Sequence, residues 1–296
     1  MDRLEFLKTK VKDFDNKTIT IDDKGMNNII IILDNILYRF PKYKNGIDSM
    51  IKEVNVLNLL NSKKIYKEIN IPNVISYNFD KGNIIKNYIC YQIIEGEPLI
   101  KSRFDVSKDK DHIASDLAIY LKNIHNQKVD DFLKAGVLKI NPINVFEKMF
   151  YEIQNKLFIY MREDAKEKIE IEFKTFIDKC GKNDFEYKLI HGDFGPTNIL
   201  YKNGEISGVI DFGEVNISDP AYDFASLMGP FGYGEDFVRN ILINYRENIE
   251  TEEYIETEEY ISRAKFYIKT FALQDALFGY NNKSKADFDF GMKNFI

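Results

Sequence analysis

The sequence predicts an α+β fold in two unequal parts, and three observations carry that prediction. Short β-branched runs separated by turn residues fill the N-terminal stretch, and helical periodicity dominates from about residue 107 onward. The length, 296 residues, exceeds what one small core would bury and suits a division at 1–95 and 96–296.

In order along the chain, Lys17–Ile21, Asn28–Leu33 and Ile36–Phe40 are aliphatic or β-branched runs, with Gly25-Met26-Asn27 and Asp34-Asn35 as turns between them. They form an antiparallel meander. Ser49–Asn61 places Met50, Val54, Leu57 and Leu60 at helical spacing, so Glu53 belongs to a helix packed on the sheet. Strands around Val74–Tyr77 and from Ile84 to Ile94 complete a small sheet carrying one helix. Arg39 stands among Leu37, Tyr38 and Phe40 in the third strand. Either it turns inward to bind an anion and pair with Glu53, or it points to water from an edge strand. Tyr91–Pro98 is either a linker whose backbone pairs with a base edge or a plain connection.

Helices are predicted at Ser107–His125, Val145–Tyr160 and Glu163–Cys180, then a strand at Lys188–Ile190. His125 reads as a capping or core histidine. Asp219 reads as the cap of a helix opened by Pro220. Another helix starts at Glu235, a long one covers 261–280, and Phe288–Phe295 forms the last. Ile249–Tyr254 is repeated directly as Ile255–Tyr260, a period matching no helical face, so this segment is expected to be acidic and solvated.

Composition narrows the class. A 44% hydrophobic content with 14% aromatics is that of a folded chain. The longest aliphatic run, Ile29–Leu33, is far below the ~20 residues of a membrane span, and Met1–Glu5 does not open a signal peptide, so a cytoplasmic protein is expected. Cys90 and Cys180 sit in no paired motif, which points away from a disulfide framework and from zinc. A net charge of −6 argues against nucleic acid and membrane as partners and is compatible with a cationic small molecule.

The chemistry concentrates in His191-Gly192-Asp193-Phe194-Gly195-Pro196-Thr197-Asn198, followed by Asp211-Phe212-Gly213. Ile199–Tyr201, a turn at Asn203-Gly204 and Ile206–Ile210 read as a hairpin. Such a hairpin returns the chain to its start and sets Asn198 beside Asp211. Both then offer oxygen to one Mg2+. Asp193, in the same loop, is placed to accept a proton from a substrate hydroxyl, and His191 to brace the loop.

These two spacings resemble the catalytic and metal loops of the aminoglycoside phosphotransferase family, whose fold is bilobal and protein-kinase-like. Ile36–Lys42 with Lys52–Leu57, Tyr91–Leu99, and Ile217–Pro220 with Asp223-Phe224 are similar to its 2''-phosphotransferase branch. The resemblance implies a small antiparallel-sheet nucleotide-binding lobe and a larger, mainly helical lobe for catalysis and substrate. Asp193 would be the catalytic aspartate, and Asn198 and Asp211 the Mg2+ ligands. Arg39 held by Glu53, Asn27, Tyr91 and the backbone of Gln92 and Ile94 would bind GTP or ATP. The implied reaction moves the γ-phosphoryl group to a hydroxyl of an aminoglycoside, giving antibiotic resistance by a monomer. Asp223, Glu235, Asp236 and Asp275 are the candidate substrate carboxylates. The alternatives are another hydroxyl acceptor (a macrolide, choline, a sugar or homoserine) or a nucleotide-binding pseudokinase. The chain departs from the branch in having Arg39 for lysine, Gly192 for asparagine, and fewer acids after Pro220.

Overall fold

A computed structural model describes residues 2–25, 27–63, 69–181, 185–245 and 251–296. A capping box at Asp2 and Glu5 opens α1 (Arg3–Lys8). The sheet comprises β1 (Ile19–Asp22), β2 (Asn28–Leu33), β3 (Ile36–Pro41), β4 (Val74–Asn78) and β5 (Tyr88–Gln92), antiparallel in the order β1-β2-β3-β5-β4. Alternation along β5 explains how the sheet is covered. Tyr88 and Cys90 face a core with Phe6, Leu7, Tyr38 and Phe40 beneath α1, while Ile89 faces Met50 and Val54 of α2 (Gly46–Lys63) on the other side. The strand expected over Ile84–Ile94 is shorter, because Ile84–Lys86 forms a 3-10 turn capped by Asn83.

The helix α2 serves two cores. Its Met50 and Val54 pack on the sheet, and its Val56, Leu57 and Leu60 join the large core of the helical part. That part contains α3 (Lys101–Asp105), α4 (Lys110–His125), α5 (Val129–Lys134), α6 (Pro142–Lys156), α7 (Glu163–Cys180), α8 (Ala221–Met228), α9 (Glu235–Tyr245), α10 (Thr251–Asn282) and α11 (Lys285–Met292). Two small sheets lie among them. One pairs β7 (Lys188–Ile190) with β10 (Asn216–Ser218), and the other orders β6 (Glu97–Pro98), β8 (Ile199–Lys202) and β9 (Glu205–Val209) as β6-β8-β9. Gly96 at φ +141° lets the linker lie on that hairpin, since a Cβ there would meet Ser207 Oγ. No helix among the described residues is long and apolar enough to cross a membrane.

Two sequence expectations need correction. The long helix begins at Thr251, ten residues before the expected start, so the described part of the tandem repeat is helical; Ile249 and Glu250 lie outside the described residues. Tyr260 and Ile261, on the same helix, are buried, and that packing overrides the repeat's period. Asp219 is not the N-cap: Pro220 takes that position before Ala221, and Asp219 stands one residue earlier. Its Oδ1 accepts from the Ala221 amide at 3.1 Å, but the fully buried carboxylate also takes Arg263 Nε at 2.7 Å and the Tyr267 hydroxyl at 2.6 Å. This cluster ties α8 to α10 beside a stack of Phe146, Phe176, Phe266 and Tyr267.

Arg263→Leu therefore leaves a buried carboxylate short of its cation and is expected to cost about 3 kcal/mol in urea unfolding. Tyr267→Phe is expected to cost about 1.5 kcal/mol. An Arg263→Leu protein as stable as the parent would show that Asp219 does not depend on this pair.

Candidate active site

The hairpin forms as the spacing requires. Ile199 pairs with Val209, and the Ile210 amide donates to the Asn198 carbonyl at 2.9 Å, which brings the residues flanking β8 and β9 together. Asn198 is buried and spends its Nδ2 on Asp193, reaching the carbonyl oxygen and Oδ2 at 2.9 Å each. The amide is thereby oriented, with Oδ1 left as its acceptor. Burial is the main reason that the Asp193 carboxyl is pushed above the usual carboxylate range.

Asp211 follows the hairpin in the left-handed region, at φ 66° and ψ 74°, a conformation uncommon for a residue with a side chain. Its side chain is half exposed. The Asp211 carboxylate and Asn198 Oδ1 are hard oxygen donors, a set that suits Mg2+ completed by phosphate or water. Among the described residues no three His, Cys, Asp or Glu side chains gather into a metal cluster.

Arg39 faces inward. β3 is a central strand, and the guanidinium is buried between Glu53, which its Nη2 contacts directly, and Asp211, whose Oδ1 takes Nη1 at 3.2 Å. One arginine thus links the sheet, α2 and the segment after the hairpin. The same segment is held again from α2, where Ser49 Oγ donates to the Gly213 carbonyl at 3.3 Å and Lys52 Nζ to the Val215 carbonyl at 3.0 Å. Lys52 is buried enough that desolvation lowers its pKa. Its clamp was not legible in sequence, because nothing in the helical spacing says that Lys52 bonds across the fold.

Tyr91 lies on β5 within electrostatic reach of Arg39 and Asp211, and burial raises its phenol pKa. Gln92 ends β5, the Ile93 amide donates to the Asn35 carbonyl at 3.0 Å, and Ile94 follows in the linker. Asn27 is exposed in the turn before β2, with its carbonyl accepting from the Lys42 amide.

The four candidate substrate carboxylates are dispersed. Asp223 is fully buried behind the loop, with its oxygens accepting from the His191 and Gly192 amides and from His125, so it offers nothing to a ligand. Glu235 is bound by Arg239 and Lys265, each at 2.7 Å, and those two salt bridges hold its carboxyl below the usual range. Asp236 and Asp275 are exposed, and burial followed by the charge of Asp287 raises the Asp275 pKa. None of the four lines the cavity of about 190 Å³ that opens beside Gly192. That cavity has Glu214, Asn216, Tyr222 and Gln274 as polar lining and Ile140, Val145, Phe146 and Met149 as its apolar wall. The sequence signal for Glu214 was its place directly after Asp211-Phe212-Gly213.

His191 braces the loop from inside. Its Nδ1 accepts from the Asp193 amide at 3.3 Å and its Nε2 donates to the Ile210 carbonyl at 3.2 Å. Gly192 has φ +80°, and a Cβ there would strike the Glu214 carbonyl oxygen.

Comparison with known proteins agrees with this architecture. The chain shares 24% identity over 230 residues with viomycin phosphotransferase of Streptomyces vinaceus, spanning 76% of this chain and 75% of that protein. A solved GDP complex of aminoglycoside 2'-phosphotransferase-IIIa superposes with a TM-score of 0.87 at 23% identity, covering 99% of this chain and 97% of the other. A macrolide 2'-phosphotransferase from Brachybacterium faecium superposes at 0.74 with 15% identity, over 99% and 97% of the two chains. At these identities the structural likeness concerns the fold. The model of the phosphotransferase enzyme family matches residues 33–259, and the chain belongs to that family.

Proposed function

We propose that this enzyme transfers the γ-phosphoryl group of GTP or ATP to a hydroxyl of an aminoglycoside, the 2''-hydroxyl in the first instance, and so confers resistance. Residues 1–95 bind the nucleotide, and residues 96–296 supply the catalytic loop and the acceptor site. The observation that carries the reading is the joined geometry of Asp193 and Asn198, with Asn198 Nδ2 fixing the Asp193 carboxylate while its own Oδ1 stays available.

Each residue then has one task. Asp193 accepts the proton of the attacking hydroxyl and aims its oxygen at the phosphorus. Asn198 and Asp211 hold Mg2+, which supplies neutralisation of the phosphate charge when bound. Arg39, fixed by Glu53, contacts the phosphates, and the backbone of Gln92 and Ile94 holds the base beside Tyr91. Tyr91 narrows the base pocket and favours GTP. Asn27 lies over the nucleotide from the turn above β2.

A second reading is supported by the cavity beside Gly192. Among its described lining residues Glu214 is the one carboxylate, beside neutral polar and apolar side chains, which favours an acceptor with few cationic groups, a macrolide for example.

Expression in a susceptible bacterium is expected to raise the tolerated concentration of kanamycin-type drugs. Phosphorylation confined to neutral acceptors in a nucleotide-consumption panel would replace the aminoglycoside reading with the second one. Asp193→Ala is expected to lower kcat by on the order of 10² to 10⁴; turnover within a few-fold of the parent would refute its role as base. Glu53→Gln leaves Arg39 short of its buried counter-charge and is expected to raise the nucleotide KM by about 10-fold, with the acceptor KM little changed. An unchanged nucleotide KM would detach Arg39 from the phosphates.

A further inference from the structure

The backbone that carries Glu214 is held at three successive carbonyls. Ser49 Oγ donates to the Gly213 oxygen at 3.3 Å, Asn216 Nδ2 to the Glu214 oxygen at 2.9 Å, and Lys52 Nζ to the Val215 oxygen at 3.0 Å. The Glu214 carbonyl is also boxed in by Gly192, where a Cβ would strike it. With its main chain fixed in this way, Glu214 keeps an exposed side chain on the wall of the cavity beside Gly192. It is the one carboxylate among the described lining residues, so the charge that an acceptor meets there depends on what stands near Glu214.

Lys52 stands there. Its ammonium ends on a carbonyl oxygen, which carries no net charge, so the full positive charge is left one peptide away from Glu214. Glu53, its neighbour on α2, does not offset it, because that carboxylate is buried against Arg39. Lys52 and Glu214 feel each other: burial lowers the Lys52 pKa and the charge of Glu214 acts in the opposite direction. Partial burial also keeps the field of the ammonium from being fully screened by water. Ser49 grips the Gly213 carbonyl from the same helix with a neutral hydroxyl, so holding the segment does not by itself account for a charged side chain at position 52.

We infer that Lys52 is a specificity-determining residue for the acceptor: anchored on the Val215 carbonyl, its ammonium offsets Glu214, so acceptors with several positive charges bind less tightly than that carboxylate alone would hold them. The inference rests on the cavity beside Gly192 receiving the acceptor. Lys52 is not among the residues lining that cavity and acts through its field, without touching the acceptor.

The test titrates kanamycin, which carries several ammonium groups, into the full chain and follows binding by calorimetry in Lys52→Gln, Glu214→Gln and the double variant. Glutamine at position 52 keeps an N–H donor for the Val215 carbonyl and removes the charge. At low ionic strength Lys52→Gln is expected to lower the kanamycin Kd about 5-fold and Glu214→Gln to raise it about 5-fold. The double variant has the net charge of the parent and is expected to return to within about twofold of its Kd. In about 0.5 M salt the differences are expected to shrink below about twofold, which a purely structural role of Lys52 would not produce. Parental affinity in Lys52→Gln beside weakened binding in Glu214→Gln overturns the inference and leaves the cavity as the acceptor site. A double variant weaker than either single one also overturns it, since loss of the Val215 clamp would give that result. Unchanged binding in Glu214→Gln removes the cavity as the place where the acceptor is read, and the inference falls with that reading; so does an absence of kanamycin binding throughout. Should Lys52→Gln fail to fold, Lys52→Met, which fills the same volume without a charge, is held to the same expectations.

Discussion

A buried guanidinium needs its charge answered, and Arg39 is answered from two directions. Glu53 comes from the helix behind the sheet, and Asp211 from the segment after the catalytic hairpin. Removing Arg39 leaves the buried Glu53 without a partner, a change costing several kcal/mol, whereas the half-exposed Asp211 can fall back on water. The relative placement of sheet, helix and the segment after the hairpin is therefore coupled to a single side chain. The clamp of Ser49 and Lys52 on the Gly213 and Val215 carbonyls adds a second tether from the same helix, so α2 joins the two cores it packs against.

Much of this was readable before any coordinates. The hairpin spacing put Asn198 beside Asp211 because two antiparallel strands and a tight turn permit little else. The periodicity of Met50, Val54, Leu57 and Leu60 identified α2 and its inward face. Sequence could not tell which way Arg39 pointed, because strand order is a long-range property and a run of six residues does not say whether it lies at an edge. It also missed α1, although Asp2 and Glu5 are a capping box.

The substrate end failed to declare itself for a related reason. A carboxylate in sequence is only a charge, and folding decides whether that charge faces a ligand, a cation or a backbone amide. Asp223 went to the amides of the loop, Glu235 to Arg239 and Lys265, and Glu214, just after Asp211-Phe212-Gly213, reached the cavity. His125, readable only as a core or capping residue, became the far end of a polar chain because α4 and α8 happen to meet there. Chemistry held within a short loop is legible from spacing. Chemistry assembled across helices is not.

The crowding at Gly192 bears on how such loops can be exchanged between relatives. Because the Glu214 carbonyl occupies the space that a side chain at 192 would need, the loop and the stretch beyond Asp211 form one interlocking part. Grafting a loop with asparagine at this position would require the downstream stretch to travel with it, and the smallest transferable unit runs from His191 through Asn216.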